Sequence, residues 1–263
     1  MKLGALGALF VLTLRQHLRG RRLLVLSLLF LLPSALAALV QLVAKYPPPP
    51  EQPEFFFIFN FIPHSLAPLT ALLYAAGIIQ DEVEGQTLTY LLLRPLPRWA
   101  MYLTKLAATI IVTTAITAIF TLLAYAVIYW NSGEMIEVLK NRAPKTLALM
   151  ALAQVGYCCF FGALGLFMRR SLVTGLAYIV VFEGLLANMD FVVRKLTVMY
   201  YFRILALRWL DLPSGREWSL DLAKAPSANE CVTTLLIVSA LFTLAGAVMM
   251  MRQEFRMKTP GGN

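Results

Sequence analysis

The sequence predicts an all-α membrane protein with six transmembrane helices. Apolar residues fill 59% of the 263 positions, charged residues fill only 14%, and the mean hydropathy is +0.72. Soluble domains carry about 25% charged residues, so a soluble core of this size would lack the polar shell that it needs. The alternating pattern of β-barrel strands is absent. Because backbone groups cannot stay unpaired in lipid, the apolar runs must be helices.

Six apolar runs are long enough to cross a bilayer, because about 20 helical residues span a hydrocarbon core of about 30 Å. We predict spans at residues 23–43, 62–79, 106–129, 147–168, 172–189 and 232–251. The second span has an alternative start near Phe55, in which case Pro63 and Pro68 kink it or restrict the helix to its later part. The first run mimics a signal-peptide core. It nevertheless continues to Val43 after a long N-terminal stretch, which favours an uncleaved helix.

The spans divide the chain into a basic N-terminal segment (residues 1–22), a membrane domain (residues 23–251) and a short tail (residues 252–263). Lys and Arg are enriched on the cytoplasmic side of membrane helices. The first loop on the far side has only Lys45, whereas the N-terminal segment has five basic residues: Lys2, Arg15, Arg19, Arg21 and Arg22. We therefore expect both termini in the cytoplasm. Attraction to anionic membrane lipids is enough to explain the net charge of +9, so we expect no nucleic-acid partner.

Two segments outside the spans have compositions that predict further helices. Residues 2–17 are apolar at their start and basic at their end, which predicts a helix along the inner membrane surface. A plain basic anchor for the first span is the alternative. The connection at residues 190–231 is too long and too apolar for a simple loop, so we expect short interfacial or re-entrant helices there.

The sequence contains no motif that predicts catalysis or metal binding. The P-loop pattern is absent, so we expect no nucleotide site in this chain. The only histidines are His17 and His64, and no H-E-x-x-H pattern exists. The cysteines (Cys158, Cys159 and Cys231) lack metal-ligand spacing. We predict a protein that is not an enzyme and has no cofactor or metal of its own.

Two polar features lie inside the predicted spans. A row of threonines recurs at every fourth position of the third span: Thr109, Thr113, Thr117 and Thr121. Such a row is more typical of helix contacts than of a transport pathway, because small residues let backbones approach. Glu183 lies near the end of the fifth span, where a carboxylate must be paired, protonated or hydrated. We expect it to bind backbone amides or an arginine such as Arg194, with substrate contact as the alternative.

Residues 80–98, between the second and third spans, form a charged segment bounded by turns. The residues that form its pattern are, in order, Glu82, Glu84, Gly85, Thr87, Leu88, Leu91, Leu92, Arg94, Pro95 and Arg98. This order resembles the coupling segment of ABC-2-type transporter permeases, whose pattern is Glu-x-x-x-Gly-Thr-Leu-Glu-x-Leu-Leu followed by Pro and Arg. One extra residue separates Gly85 from Thr87, and Thr89 stands where an acid is common. The six spans, the basic N-terminal segment and the long fifth connection resemble the same family.

The resemblance implies a type V exporter-like transmembrane domain with an N-terminal interfacial helix. Two permease copies would form the pathway of an exporter in a bacterial inner membrane. Two separate ABC ATPase subunits would bind ATP and Mg²⁺, and each would receive the short helix around residues 86–93 in a surface groove. Apolar anchors would be Leu88, Leu91 and Leu92, with Glu82, Glu84, Arg94 and Arg98 as charged contacts at the rim.

Two alternatives to this function stay open. A gradient-driven secondary transporter would need ionisable residues within its spans, and the sequence offers essentially Glu183 alone. A non-transporting membrane assembly protein is the other alternative. The composition of the spans fits lipids, hydrophobic drugs, peptides and polysaccharide intermediates equally well as substrates.

Overall fold

The structure, a computed structural model, describes residues 3–43, 48–84, 97–168, 170–188, 192–210, 212, 218, 220 and 224–252. Every regular element within these ranges is a helix. The first four are α1 (Leu3–Arg19), α2 (Arg21–Val43), α3 (Glu51–Pro53, Glu54–Leu66 and Ala67–Ala75 in succession) and α4 (Gly77–Glu84). Next come α5 (Arg98–Ile128), α6 (Met135–Asn141) and α7 (Ala143–Phe167). The last are α8 (Ser171–Tyr178, continued by Ile179–Leu185), α9 (Val198–Leu210) and α10 (Ala228–Arg252).

Five helices within the described ranges are long and apolar enough to cross a membrane. They are Arg21–Val43, Glu51–Glu82, Arg98–Ile128, Ala143–Phe167 and Ala228–Arg252. The second begins at Glu51 rather than near residue 62, so its prolines do not confine the helix to its later part. Pro63 lies in a stretch with the wider π-helical spacing. Pro68 is the second residue of Ala67–Ala75, which continues the same helix, so the helix passes both prolines without ending.

The fifth predicted span is shorter in the structure than in the sequence prediction. Its helix, Ser171–Leu185, lies in the class of 10–17 residues, below the roughly 20 that cross a bilayer. The chain then turns through the 3₁₀ segments Leu186–Asn188 and Val192–Leu196 and enters α9. Helix α9 is largely buried against α7 and α10, so the connection does contain the short helix that its apolar composition predicts.

Helix α7 lies at the centre of the fold, in contact with α3, α5, α9 and α10. Its glycines allow close approach: a Cβ at Gly165 would overlap the carbonyl of Ala76, where α3 ends and α4 begins. Tyr102 of α5 fits against Gly162 of α7 and Gly246 of α10 in the same way. The apolar stretches of α2 and α10 are each only 28% buried, against 61% for α7. Their exposed leucines suit contact with lipid.

Candidate functional site

Helix α4 leads directly into the charged segment that the sequence singles out, and three consecutive residues bind it to the rest of the fold. The first is Gln80. Its Nε2 donates to the carbonyl of Gly165 at 3.1 Å and to the carbonyl of Met168 at 2.7 Å. Ser171 Oγ donates to its Oε1 at 2.7 Å. One amide therefore fixes α4 to the end of α7 and the start of α8.

The second residue, Asp81, binds the start of α2. Arg22 donates Nη1 to Oδ2 at 2.7 Å and Nη2 to Oδ1 at 2.9 Å, which is the bidentate geometry that guanidinium and carboxylate favour. Arg22 also donates to the carbonyl of Leu73 at 3.1 Å. Gly77 leaves room for this pair, because a Cβ there would lie 2.8 and 2.9 Å from the carboxylate oxygens. The pair is half-exposed, at 42% and 48% of the two side chains.

The third residue, Glu82, is paired inside the protein. Its Oε1 accepts from Lys105 Nζ of α5 at 2.6 Å, and Lys105 also donates to the carbonyl of Ile78 at 3.2 Å. Only 4% of the Lys105 side chain and 9% of the Glu82 side chain are exposed. Removing one partner of such a pair leaves an uncompensated buried charge, whereas replacing both partners does not. We call Gln80, Asp81 and Glu82 with their partners the α4 cluster.

His17 attaches α1 to α3 and α5 next to the α4 cluster. Its Nε2 lies 2.9 Å from Thr109 Oγ1, and Tyr74 donates its hydroxyl to the His17 carbonyl at 3.3 Å. Burial, together with the positive charges of Lys105 and Arg22, lowers the pKa of His17 to about 4. The imidazole is therefore neutral at pH 7 and holds the end of α1 against α5 through hydrogen bonds rather than through charge.

A cavity of about 470 Å³ opens beside the α4 cluster, between α1, α2, α4 and α5. Nine of its twelve lining residues have charged or hydrogen-bonding side chains. The lining residues are Thr13, Gln16, His17, Gly20, Arg21, Arg22, Tyr74, Gly77, Ile78, Asp81, Glu82 and Lys105. Within the described residues, those of this cavity included, no group of three or more His, Cys, Asp or Glu residues could hold a metal ion.

The predicted coupling residues are only partly within the described ranges. Glu82 is there, with its carboxylate turned inward to Lys105 rather than outward to a partner. Glu84 is the last residue of α4, and the exposed Arg98 is the first residue of α5. Seven predicted residues lie outside the described residues: Gly85, Thr87, Leu88, Leu91, Leu92, Arg94 and Pro95.

The threonine row of α5 is buried within a single chain. Thr109, Thr113, Thr117 and Thr121 are each at most 1% exposed. The first three donate to the carbonyl four residues earlier, at 2.9–3.0 Å. Thr113 also contacts Cys158 Sγ of α7 at 3.3 Å. Thr113 therefore lies where α5 packs against α7.

The same four-residue spacing continues beyond the threonines, which sequence analysis missed. Lys105 precedes the row, and Tyr125 and Tyr129 follow it, all of them buried. Both tyrosines donate to Glu54 of α3, Tyr125 at 3.2 Å and Tyr129 through a very short bond. Arg142 Nη1 completes the site at 3.0 Å from the same carboxylate. We call these four residues, Glu54, Tyr125, Tyr129 and Arg142, the Glu54 cluster; it lies at the other end of α5 from the α4 cluster.

Glu183 of α8 is completely buried and binds the start of α9. Its carboxylate accepts from the amides of Val198 at 3.1 Å and Met199 at 3.2 Å, and from the hydroxyl of Tyr178 at 3.3 Å. The first amides of a helix have no partner within the helix, and the helix dipole favours a negative charge there. The alternatives predicted for the Glu183 carboxylate are backbone amides, an arginine or a substrate. The structure shows contacts with backbone amides.

The fold and these contacts define a multi-pass helical membrane protein with an ionic cluster at each end of α5. The chain belongs to the ABC-2 family: the family model described as ABC-2 family transporter protein matches residues 16–186. The match includes both clusters, Glu183 and residues 80–98. Membership makes the chain a transporter permease and implies an ABC ATPase as its partner. A search of the curated proteins found no match.

Proposed function

We propose that this permease is the membrane subunit of an ATP-driven exporter, and that residues 80–98 couple it to the ATPase. One observation carries the proposal: at the start of that segment, Gln80, Asp81 and Glu82 bind three different parts of the fold. A force applied by an ATPase to the helix around residues 86–93 would reach α2, α5 and the α7–α8 junction together. Such a branched attachment suits a segment that must move several helices at once.

The proposed assembly contains two permease copies, which form the pathway, and two ATPase subunits, which bind ATP and Mg²⁺. This chain carries no catalytic residue or cofactor, in keeping with its lack of a P-loop. The five long helices are joined by one further span, which consists of Ser171–Leu185 and the turns that follow it. This additional span is the fifth of the six along the chain. The domain is of the type V exporter class, and α1 is its interfacial helix.

The proposed orientation puts both termini in the cytoplasm of a cell with the protein in its inner membrane. The Arg22–Asp81 pair supports this orientation, because it brings the basic N-terminal segment and the start of residues 80–98 to the same end of the molecule. Basic segments favour the cytoplasmic side. An ATPase could then reach the coupling segment from the cytoplasm.

The test is a pull-down from mild detergent that measures co-purifying ATPase activity. We expect wild-type protein to retain an ATPase and the double variant Leu88→Asp, Leu91→Asp to lose it, because charges would replace both apolar anchors. Ile136→Asp is the matched control: Ile136 is 81% exposed on α6, beyond the other end of α5. If wild-type protein retains no ATPase, or the double variant retains as much as the control, the coupling proposal is wrong.

A further inference from the structure

We propose that the cavity between α1, α2, α4 and α5 binds the phosphate of an acidic phospholipid headgroup. The cavity volume of about 470 Å³ is sufficient for a headgroup. Membrane proteins bind acidic headgroups in basic pockets between helices on their cytoplasmic side. The cavity adjoins the proposed coupling segment, because Asp81 and Glu82 line it, but lipid binding can be tested on the permease alone.

The charges of the lining favour an anion at its outer edge. Two of its three cations, Arg22 and Lys105, are matched by the carboxylates of Asp81 and Glu82. The third, Arg21, is exposed and has no salt bridge to any residue that the structure describes. The lining therefore has one positive charge in excess, located where a ligand can enter.

Hydrogen-bond donors accompany this positive charge. Gln16 is exposed and lines the cavity as Arg21 does, so its amide is a further donor in the lining. Phosphate oxygens accept several hydrogen bonds, and guanidinium donors bind them with favourable geometry. Asp81 and Glu82 are already occupied by their own cations, so they oppose a phosphate less than two free carboxylates would.

The surroundings of the cavity favour a lipid over a soluble phosphate. Arg21 and Arg22 begin α2, the first long apolar helix, so the cavity lies at the edge of a predicted membrane span. Large apolar side chains are exposed on both adjoining helices: Leu18 of α1 is 53% exposed, and Leu24 and Leu28 of α2 are 73% and 69% exposed. A phospholipid can place its phosphate in the cavity and its acyl chains along these leucines. A soluble anion would contact the cavity but not the leucines.

The test measures lipid binding to the purified full chain in detergent by native mass spectrometry. Dioctanoyl phosphatidylglycerol, dioctanoyl phosphatidylcholine, glycerol phosphate and inorganic phosphate are titrated in parallel. We expect saturable binding of phosphatidylglycerol and weaker binding of phosphatidylcholine. Arg21→Ala is expected to weaken phosphatidylglycerol binding about five-fold, the effect of one basic residue at a lipid surface.

Arg15→Ala is the matched control, because Arg15 is an exposed arginine of α1 that does not line the cavity. Arg15 and Arg21 are both at the surface, so neither variant should disturb folding, and thermal unfolding verifies this. Equal binding of the two lipids would overturn the proposal, as would equal losses in the two variants. Competition by glycerol phosphate or inorganic phosphate at the same concentrations would also overturn it, since the occupant would then be a soluble anion.

Discussion

The two buried ion pairs lie at opposite ends of α5 and are built differently. Lys105 and Glu82 border a cavity, and the two residues before Glu82 each make their own contact with another element. Glu54 instead gathers Tyr125, Tyr129 and Arg142 around one carboxylate. The first arrangement spreads three contacts over one short helix, whereas the second concentrates three donors on one group. The α4 cluster can therefore transmit movement, and the Glu54 cluster can hold α3, α5 and α7 together.

The largest effect is expected from Lys105→Ala. The buried carboxylate of Glu82 would lose its bond to the Lys105 ammonium, and breaking such a pair costs roughly 3–5 kcal/mol. Thermal and denaturant unfolding in detergent measure the loss. The double variant Lys105→Met, Glu82→Leu should recover most of it, because no buried charge is left behind. A double variant as unstable as the single one would show that packing around Lys105, not charge, dominates.

Arg142→Ala tests the other ion pair and should have a smaller effect. Arg142 is 29% exposed, and Glu54 would keep its bonds to both tyrosine hydroxyls. We expect a loss of about 1.5–3 kcal/mol, the range for a hydrogen bond to a charged group. The same unfolding assay measures it. A loss equal to that of Lys105→Ala would mean that the tyrosines do not compensate for the missing cation, and the contrast between the clusters would fail.

Hydropathy predicted most of the fold because length and apolar composition are local properties. It failed where tertiary contacts decide the outcome. The second span begins at Glu51, before both of its predicted starts, and the helix passes Pro63 and Pro68, with Pro63 in a stretch of π-helical spacing. The fifth span ends early, two residues after Glu183, whose carboxylate binds a helix that follows in the sequence.

The residues of the candidate site were also only partly predictable, because local spacing is visible in the sequence and tertiary contacts are not. The four-residue spacing of the threonines was visible in the sequence, and extending it would have included Lys105, Tyr125 and Tyr129. Glu54 gave no such signal, because its partners are 71 to 88 positions away along the chain. Glu82 was recognised as important, but as a surface charge. Its burial follows from Lys105, 23 residues later, and not from its neighbours in sequence.

His17 provides a pH-dependent test of the contact that holds α1 against α5 beside the α4 cluster. The pKa of His17 is lowered from 6.5 to about 4, so the folded protein binds this proton less tightly than the unfolded chain. Its contribution to stability is complete above pH 6.5 and declines as the pH falls toward 4. We expect about 1 kcal/mol of loss near pH 5.5. His17→Gln should flatten the curve of melting temperature against pH between 4 and 6.5, and parallel curves would contradict this assignment.

The smallest effect on stability is expected from Asp81→Asn, because half-exposed salt bridges contribute less than about 1 kcal/mol. If the α4 cluster transmits movement, however, the same change should lower ATPase-coupled transport. Gly77→Ala should act in the same direction, since its Cβ would displace the Asp81 carboxylate from Arg22.

Both variants are compared with Glu134→Gln, an exposed carboxylate near the other end of α5. Reduced transport at unchanged melting temperature in Asp81→Asn and Gly77→Ala, with Glu134→Gln like wild type, separates transmission from stability. Normal transport in both variants would show that the Arg22–Asp81 pair is a surface contact that does not transmit movement. Gln80 and Glu82 alone would then connect the coupling segment to the membrane helices.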